Sequence, residues 1–234
     1  MKSSERFLPA AAGLLAVAAL VAGCASAPGA APVHQSSKIS AEDAPRAAWL
    51  DASSLVIATR GDGCAPAISD LAAGDQRIDV TLTAPADGGC GGEEDATHGT
   101  YLGVPAGIDS SRPVTIAVTQ HGGEASLIEL PGLPGGGVAP ADRMPQQMPA
   151  ASWIADGELA VLTWGSSTCA PESGTVEGGV LTLDEPVDAV CTMDLVPRIT
   201  FVTADGVATG ATLVLAGYTD EDGAPITLVP TPRA

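Results

Sequence analysis

The sequence predicts an all-β protein: two tandem homologous modules, each a small antiparallel β-sandwich or barrel with one disulfide. Three observations carry this. Short runs rich in Val, Ile, Leu and Thr are bounded by Gly, Pro and Asp, which is the composition of strands and turns. No amphipathic helix of useful length appears outside the N-terminal apolar run, and the Thr and Val content favours strands. The chain also repeats itself, with its cysteines in register.

The repeat is read in three blocks. AWLDASSLVIAT (48–59) aligns with SWIADGELAVLT (152–163), placing Trp49 on Trp153, Leu55 on Leu159 and Thr59 on Thr163. Shortly after, Cys64-Ala65-Pro66 matches Cys169-Ala170-Pro171. VTLTAPADGGC (80–90) then aligns with LTLDEPVDAVC (181–191), bringing Cys90 onto Cys191. A third block pairs PVTIAVT (113–119) with PRITFVT (197–203). On this alignment residues 91–112 are an insertion that the second module lacks.

Four cysteines other than Cys24 allow three pairings. The repeat selects Cys64–Cys90 and Cys169–Cys191, one bridge per module. Each module is small and poor in aromatics, so its core is thin. A disulfide closing either loop adds roughly 3 kcal/mol by restricting the unfolded chain. Trp49 and Trp153, beside Leu50 and Ile154, read as packing residues that plug each core.

The domain map follows. Residues 1–23 are a signal peptide, 24–46 a polar tether rich in Ala, Pro and Ser, and 47–133 the first module. Residues 134–149, with Gly135-Gly136-Gly137 and several prolines, are a linker, and 150–234 are the second module. Strands are expected at 55–59, 77–84, 100–104, 113–119 and 125–130. In the second module they are expected at 158–164, 175–183, 188–195, 198–203, 211–217 and 225–229. Asp156-Gly157, Asp205-Gly206 and Asp222-Gly223 are turn signals.

The N-terminus has the layout of an export signal. Lys2 and Arg6 precede an apolar run from Phe7 to Ala22, and Val21-Ala22-Gly23 closes it with small residues. The run carries Pro9 and Gly13 and falls short of the ~20 apolar residues that a membrane span needs. The formal net charge is −18. Such a surface repels nucleic acid and anionic headgroups, so no nucleic-acid partner is expected.

Chemistry-bearing residues are sparse. The three histidines are His34, His98 and His121, and the second module has none, which excludes a duplicated histidine mechanism. No Gly-x-Ser-x-Gly elbow, phosphate-cradling loop or dinucleotide fingerprint is present. The best candidate binding residues are Glu93, Asp95, His98 and Tyr101 in GGEEDATHGTYLGVP, together with Trp164 in TWGSSTCAP. The acidic spacing matches no metal motif, so no metal and no cofactor are expected. Rigid aromatics are favoured as interface anchors, which singles out Trp164.

Two resemblances add to this. Val-Ala-Gly-Cys at 21–24 resembles the lipobox of bacterial lipoproteins. That family implies cleavage before Cys24, lipidation of Cys24 with acyl groups such as palmitate, and anchoring at the extracytoplasmic face of the cell membrane. Two acyl chains hold a protein stably. Thr163–Pro171 with Cys191-Thr192-Met193-Asp194 resembles lipoproteins and secreted proteins of actinobacteria, and no activity comes with that pattern. The expectation is a lipid-anchored, non-catalytic binding or envelope-associated module with an envelope protein or glycan as partner. The alternatives are an exported hydrolase-like enzyme using residues 91–112, and an inhibitor or accessory subunit of an exported enzyme.

Overall fold

The computed structural model describes residues 43–61, 65–84, 95–120, 122–142 and 146–233. The signal peptide, Cys24, most of the tether, Cys64, Cys90, Glu93 and His121 lie outside the described residues. The protein is all-β, with fourteen strands and no helix among the described residues, so none there is long and apolar enough to cross a membrane.

The first half contains β1 (Arg46–Asp51), β2 (Ser54–Gly61), β3 (Ala67–Gly74), β4 (Arg77–Thr83), β5 (Ala96–Gly103), β6 (Val114–Gln120) and β7 (Ser126–Leu130). The second contains β8 (Ala150–Ala155), β9 (Glu158–Gly165), β10 (Gly174–Glu177), β11 (Val180–Leu183), β12 (Val196–Thr203), β13 (Leu213–Thr219) and β14 (Pro225–Leu228). In the first half a three-stranded sheet, β1-β2-β5, packs on a four-stranded sheet, β3-β4-β6-β7. In the second half the same pairings recur as β8-β9-β12 and β10-β11-β13-β14, and a parallel bridge from Thr175 to Thr203 joins them into seven strands.

The recurrence extends to detail. β1–β2 slips register between Trp49 and Asp51, and β8–β9 slips between Trp153 and Ala155. Thr100 Oγ1 donates to the Pro66 carbonyl at 3.4 Å, and Thr200 Oγ1 donates to the Pro171 carbonyl at 3.2 Å.

Two expectations need correction. The sheets are not wholly antiparallel: β4 with β6, and β11 with β13, run parallel. Parallel neighbours need a crossover connection, and here it is made by β5 or β12, which leaves for the other sheet before the chain returns. For the same reason the third sequence block is out of register. It matched β6 with β12, but β12 lies antiparallel to β9 as β5 lies antiparallel to β2. Residues 91–112 are therefore not an insertion, because they include β5, which pairs with β2 along its whole length.

Each half has its own core. Trp49, Leu55, Ile57, Ile78, Val80, Leu82, Ile116 and Leu130 fill the first. Trp153, Leu159, Val161, Leu181, Val202, Leu213 and Leu215 fill the second. The two tryptophans pack as expected, and Trp49 Nε1 donates to the Pro131 carbonyl at 2.8 Å.

A third cluster joins the halves. Ala48, Leu50, Val56 and Ala58 on the outer face of β1-β2 meet Ile154, Ala160 and Leu162 of β8-β9, with Tyr101, Trp164, Ile199 and Phe201 packed against them. Strands β1, β2, β8 and β9 are therefore buried on both faces. That is why AAWL and SLVIAT read as continuous apolar runs instead of alternating ones. An Arg46–Glu158 ion pair at 3.0 Å and a hydrogen bond from Thr231 Oγ1 to the Leu50 carbonyl at 3.2 Å also span the halves.

At the centre of this layer β5 meets β12. A Cβ on Gly99 would fall inside the Ile199 side chain, so only glycine lets the two strands approach. Gly99→Val should destabilise the protein by about 1–3 kcal/mol through overpacking. Gly61→Ala, where a Cβ meets nothing within 4 Å, should stay within about 0.5 kcal/mol of the parent. Urea unfolding with an unchanged m-value checks both.

Candidate functional site

The functional candidate is built where β9 ends and β12 begins. These strands pair from Glu158–Thr203 to Gly165–Val196, so the chain leaving β9 and the chain entering β12 emerge side by side. Residues 184–195, which join β11 to β12, form a loop beside this mouth. A strand was expected at 188–195, but there is none there. Asp188 turns the chain with φ 60°, and residues 187–195 are all exposed.

The loop is clamped at both ends. Cys191 is bridged to Cys169, which is buried, as the repeat predicted. The Cys64–Cys90 pair lies outside the described residues. Next to the bridge, Thr192 N donates to Thr168 Oγ1 at 3.0 Å, and the Thr192 and Ser166 hydroxyls lie 2.8 Å apart. Asp194 Oδ1 accepts from Ser167 N at 3.1 Å and from the Thr192 hydroxyl. These bonds, Thr192 first and Ser167 second, lower the Asp194 carboxyl from 3.8 to about 2. At the other end, Asp184 N donates to the Ser173 carbonyl at 2.9 Å, and Ser173 Oγ donates to the Asp184 carboxylate.

Arg198 braces both ends from within. Its side chain is only 8% exposed. Nη1 donates to the Cys169 carbonyl at 2.8 Å, and Nη2 donates to Tyr218 Oη at 3.0 Å. Tyr218 in turn donates to the Glu185 carboxylate, which lies 3.6 Å from the guanidinium. Burial, reinforced by the Glu185 carboxylate, raises the Tyr218 phenol. A Cβ on Gly165 would sit 2.7 Å from the guanidinium carbon, so glycine there makes room for the brace.

Between these clamps the loop turns apolar side chains to solvent. Val187, Val190, Met193 and Leu195 are exposed to 86%, 96%, 103% and 53%. Asp184, Glu185, Asp188 and Asp194 lie in the same segment and give it negative charge.

The other predicted residues are dispersed. Asp95 lies just before β5 and pairs with Arg60 at 3.3 Å. His98 and Tyr101 sit on opposite faces of β5, because side chains alternate along a strand. His98 Nε2 lies 3.2 Å from the Gly61 carbonyl, opposite Thr59, as Arg198 lies opposite Thr163. Tyr101 packs edge-to-face on Trp164, with ring centroids 5.6 Å apart and planes at 71°. Trp164 thus serves the layer between the halves, and its Nε1 is enclosed without a hydrogen-bond partner. It also lines a cavity of about 510 Å³ with Met148, Tyr218, Asp220, Glu221 and Asp222. Among the described residues no three or more His, Cys, Asp or Glu side chains gather as a metal site. Sequence reasoning passed over Arg198 and Met193, although Cys191-Thr192-Met193-Asp194 was visible as a distinctive unit.

No protein-family model, curated protein or solved structure matches the chain.

The clamp is pH-sensitive. Because the Asp194 carboxyl is depressed when folded, its contribution is present above pH 3.8 and is lost as pH falls toward 2. NMR titration of this carboxyl should give a midpoint of about 2 in the parent protein and a value nearer 3.8 in Thr192→Val. An equal midpoint in both would remove Thr192 from the clamp.

Proposed function

We propose that the chain is a lipid-anchored, extracytoplasmic, non-catalytic binding protein whose binding surface is the clamped loop 184–195. In this reading Cys24 carries the lipid and residues 24–46 are the tether. Duplicated β modules occupy 47–133 and 150–234 around a linker at 134–149. The matched strand pairings, register slips and Thr–Pro hydrogen bonds support the duplication.

The observation that carries the binding role is the exposure of Val187, Val190 and Met193 on a backbone bonded to the scaffold at both ends. Free apolar side chains on a mobile loop would pay an ordering penalty on binding, and a pre-clamped loop avoids most of it. The exposed groups are aliphatic side chains and a thioether, not aromatic platforms, which favours a protein partner over a glycan. The acidic residues of the segment favour a partner with basic residues around an apolar cleft.

A photoreactive amino acid replacing Val190 in the full-length, membrane-anchored protein should form one discrete adduct with an envelope protein. The same residue replacing Leu127, which is exposed on β7, should not. Equal labelling from both positions, or from neither, would count against the loop as binding surface. Anchoring is checked separately. Cys24→Ala should release the protein to the medium or leave uncut precursor, and unchanged membrane retention would contradict the lipid anchor.

A further inference from the structure

We propose that the cavity lined by Trp164, Tyr218, Asp220, Glu221 and Asp222 binds a small organic monocation with a quaternary ammonium head. No residue of loop 184–195 lines this cavity, so the inference stands independently of the loop's role.

At about 510 Å³ the cavity has the size that takes a small molecule. Three segments wall it: the chain entering β8 with Met148, the end of β9 with Trp164, and the β13–β14 hairpin from Tyr218 to Asp222. The two aromatic residues offer ring surface more than polar atoms. Trp164 Nε1 is enclosed, so the indole meets the cavity through carbon. Tyr218 Oη is already engaged, accepting from Arg198 Nη2 at 3.0 Å and donating to Glu185. The repeat places Arg60 at the position of Trp164, so the shared framework does not itself demand an aromatic ring there. The thioether of Met148 adds an adaptable apolar contact.

Charge selects the occupant. Three carboxylate residues line the cavity, and no Lys, Arg or His does. Asp220 Oδ1 accepts from Asp222 N at 3.0 Å and from Ala224 N at 2.8 Å, which fixes the turn that carries them. The ion pairs among the described residues involve none of Asp220, Glu221 and Asp222. A cation is therefore the complement of this wall. A bare metal ion fits poorly, because among the described residues these carboxylates do not gather as a metal site. A quaternary ammonium spreads its charge over alkyl groups and needs no directional hydrogen bond. Aromatic faces and nearby carboxylates hold it together. A ligand with its own phosphate would bring that group against the same three carboxylates. That places a free monocation such as choline above the zwitterionic headgroup of a lipid.

The test uses the purified full-length protein, labelled with fluorotryptophan and held in a maltoside detergent, with choline as the probe. Binding is read by ¹⁹F NMR and by titration calorimetry. Choline should saturate one site and shift the Trp164 resonance, assigned from its loss in Trp164→Phe, while the Trp49 and Trp153 resonances stay in place. The neutral alcohol in which carbon replaces the choline nitrogen should bind at least about tenfold more weakly. Phosphocholine should also bind at least about tenfold more weakly, and phosphatidylcholine vesicles should not shift Trp164. Glu221 and Asp222 are exposed on the turn, so Glu221→Gln with Asp222→Asn should leave the fold intact. That double variant should weaken choline about threefold or more. The proposal is overturned if choline neither saturates nor moves Trp164, if the neutral alcohol binds as tightly, or if the double variant binds choline unchanged. Phosphocholine or vesicles binding as tightly as choline would overturn the assignment to a free monocation.

Discussion

The apolar layer between the halves is the constraint on which the rest of the molecule depends. Strands β1, β2, β8 and β9 must satisfy two cores at once, one inside their own sandwich and one across to the other half. Burying a Val, Leu or Ile side chain is worth about 1.5–3 kcal/mol. Leu50, Val56, Ile154 and Leu162 supply that between the halves, where a lone sandwich would expose them to water. β5 and β12 touch at their middle only because Gly99 gives way to Ile199.

The same layer fixes the loop. β9 and β12 are two of the strands it holds, and the last pair of their ladder, Gly165 with Val196, sets the spacing from which the clamp is built. Arg198 then carries a charge into the interior, where an unpaired guanidinium would be costly. It is satisfied by the Cys169 carbonyl, by Tyr218 and by the nearby Glu185. The interactions that neutralise Arg198 therefore also brace the loop, through the Cys169 carbonyl at the bridge and through Tyr218 at Glu185. In the first half His98 occupies the matching place and reaches the Gly61 carbonyl instead. The two halves share a framework and differ in what they brace with it.

Much of the fold was legible. Strand composition marked β2, β4, β6, β7, β9 and β14 close to their observed bounds, and the repeat selected the Cys169–Cys191 bridge. β1 and β8 were passed over because RAAWLD and AASWIA are rich in alanine, which has little strand preference of its own, whereas the equally buried β2 and β9 carry Val, Ile, Leu and Thr. β3 was passed over because Ala, Asp and Gly have little strand preference of their own, and it forms by pairing with β4. The third repeat block misled because PVTIAVT and PRITFVT are both generic strand sequences, and likeness of composition says nothing about which sheet a strand joins. Residues 188–195 misled in the opposite direction. Their Val, Met and Leu content suggests a strand, while the bridge and the Asp194 hydrogen bonds hold them out of any sheet. Of the site, the cysteine pairing was legible. The bracing by Arg198 was not, since it depends on the register of β12 against β9.

The central claim is that the loop is fully exposed and yet held still. Backbone ¹⁵N relaxation measures this directly. The account predicts order parameters of about 0.85 for the amides of Thr192, Met193 and Asp194, equal to those of the strands. Values below about 0.6 in the oxidised protein would mean that the segment is mobile despite the bridge, and would contradict the account.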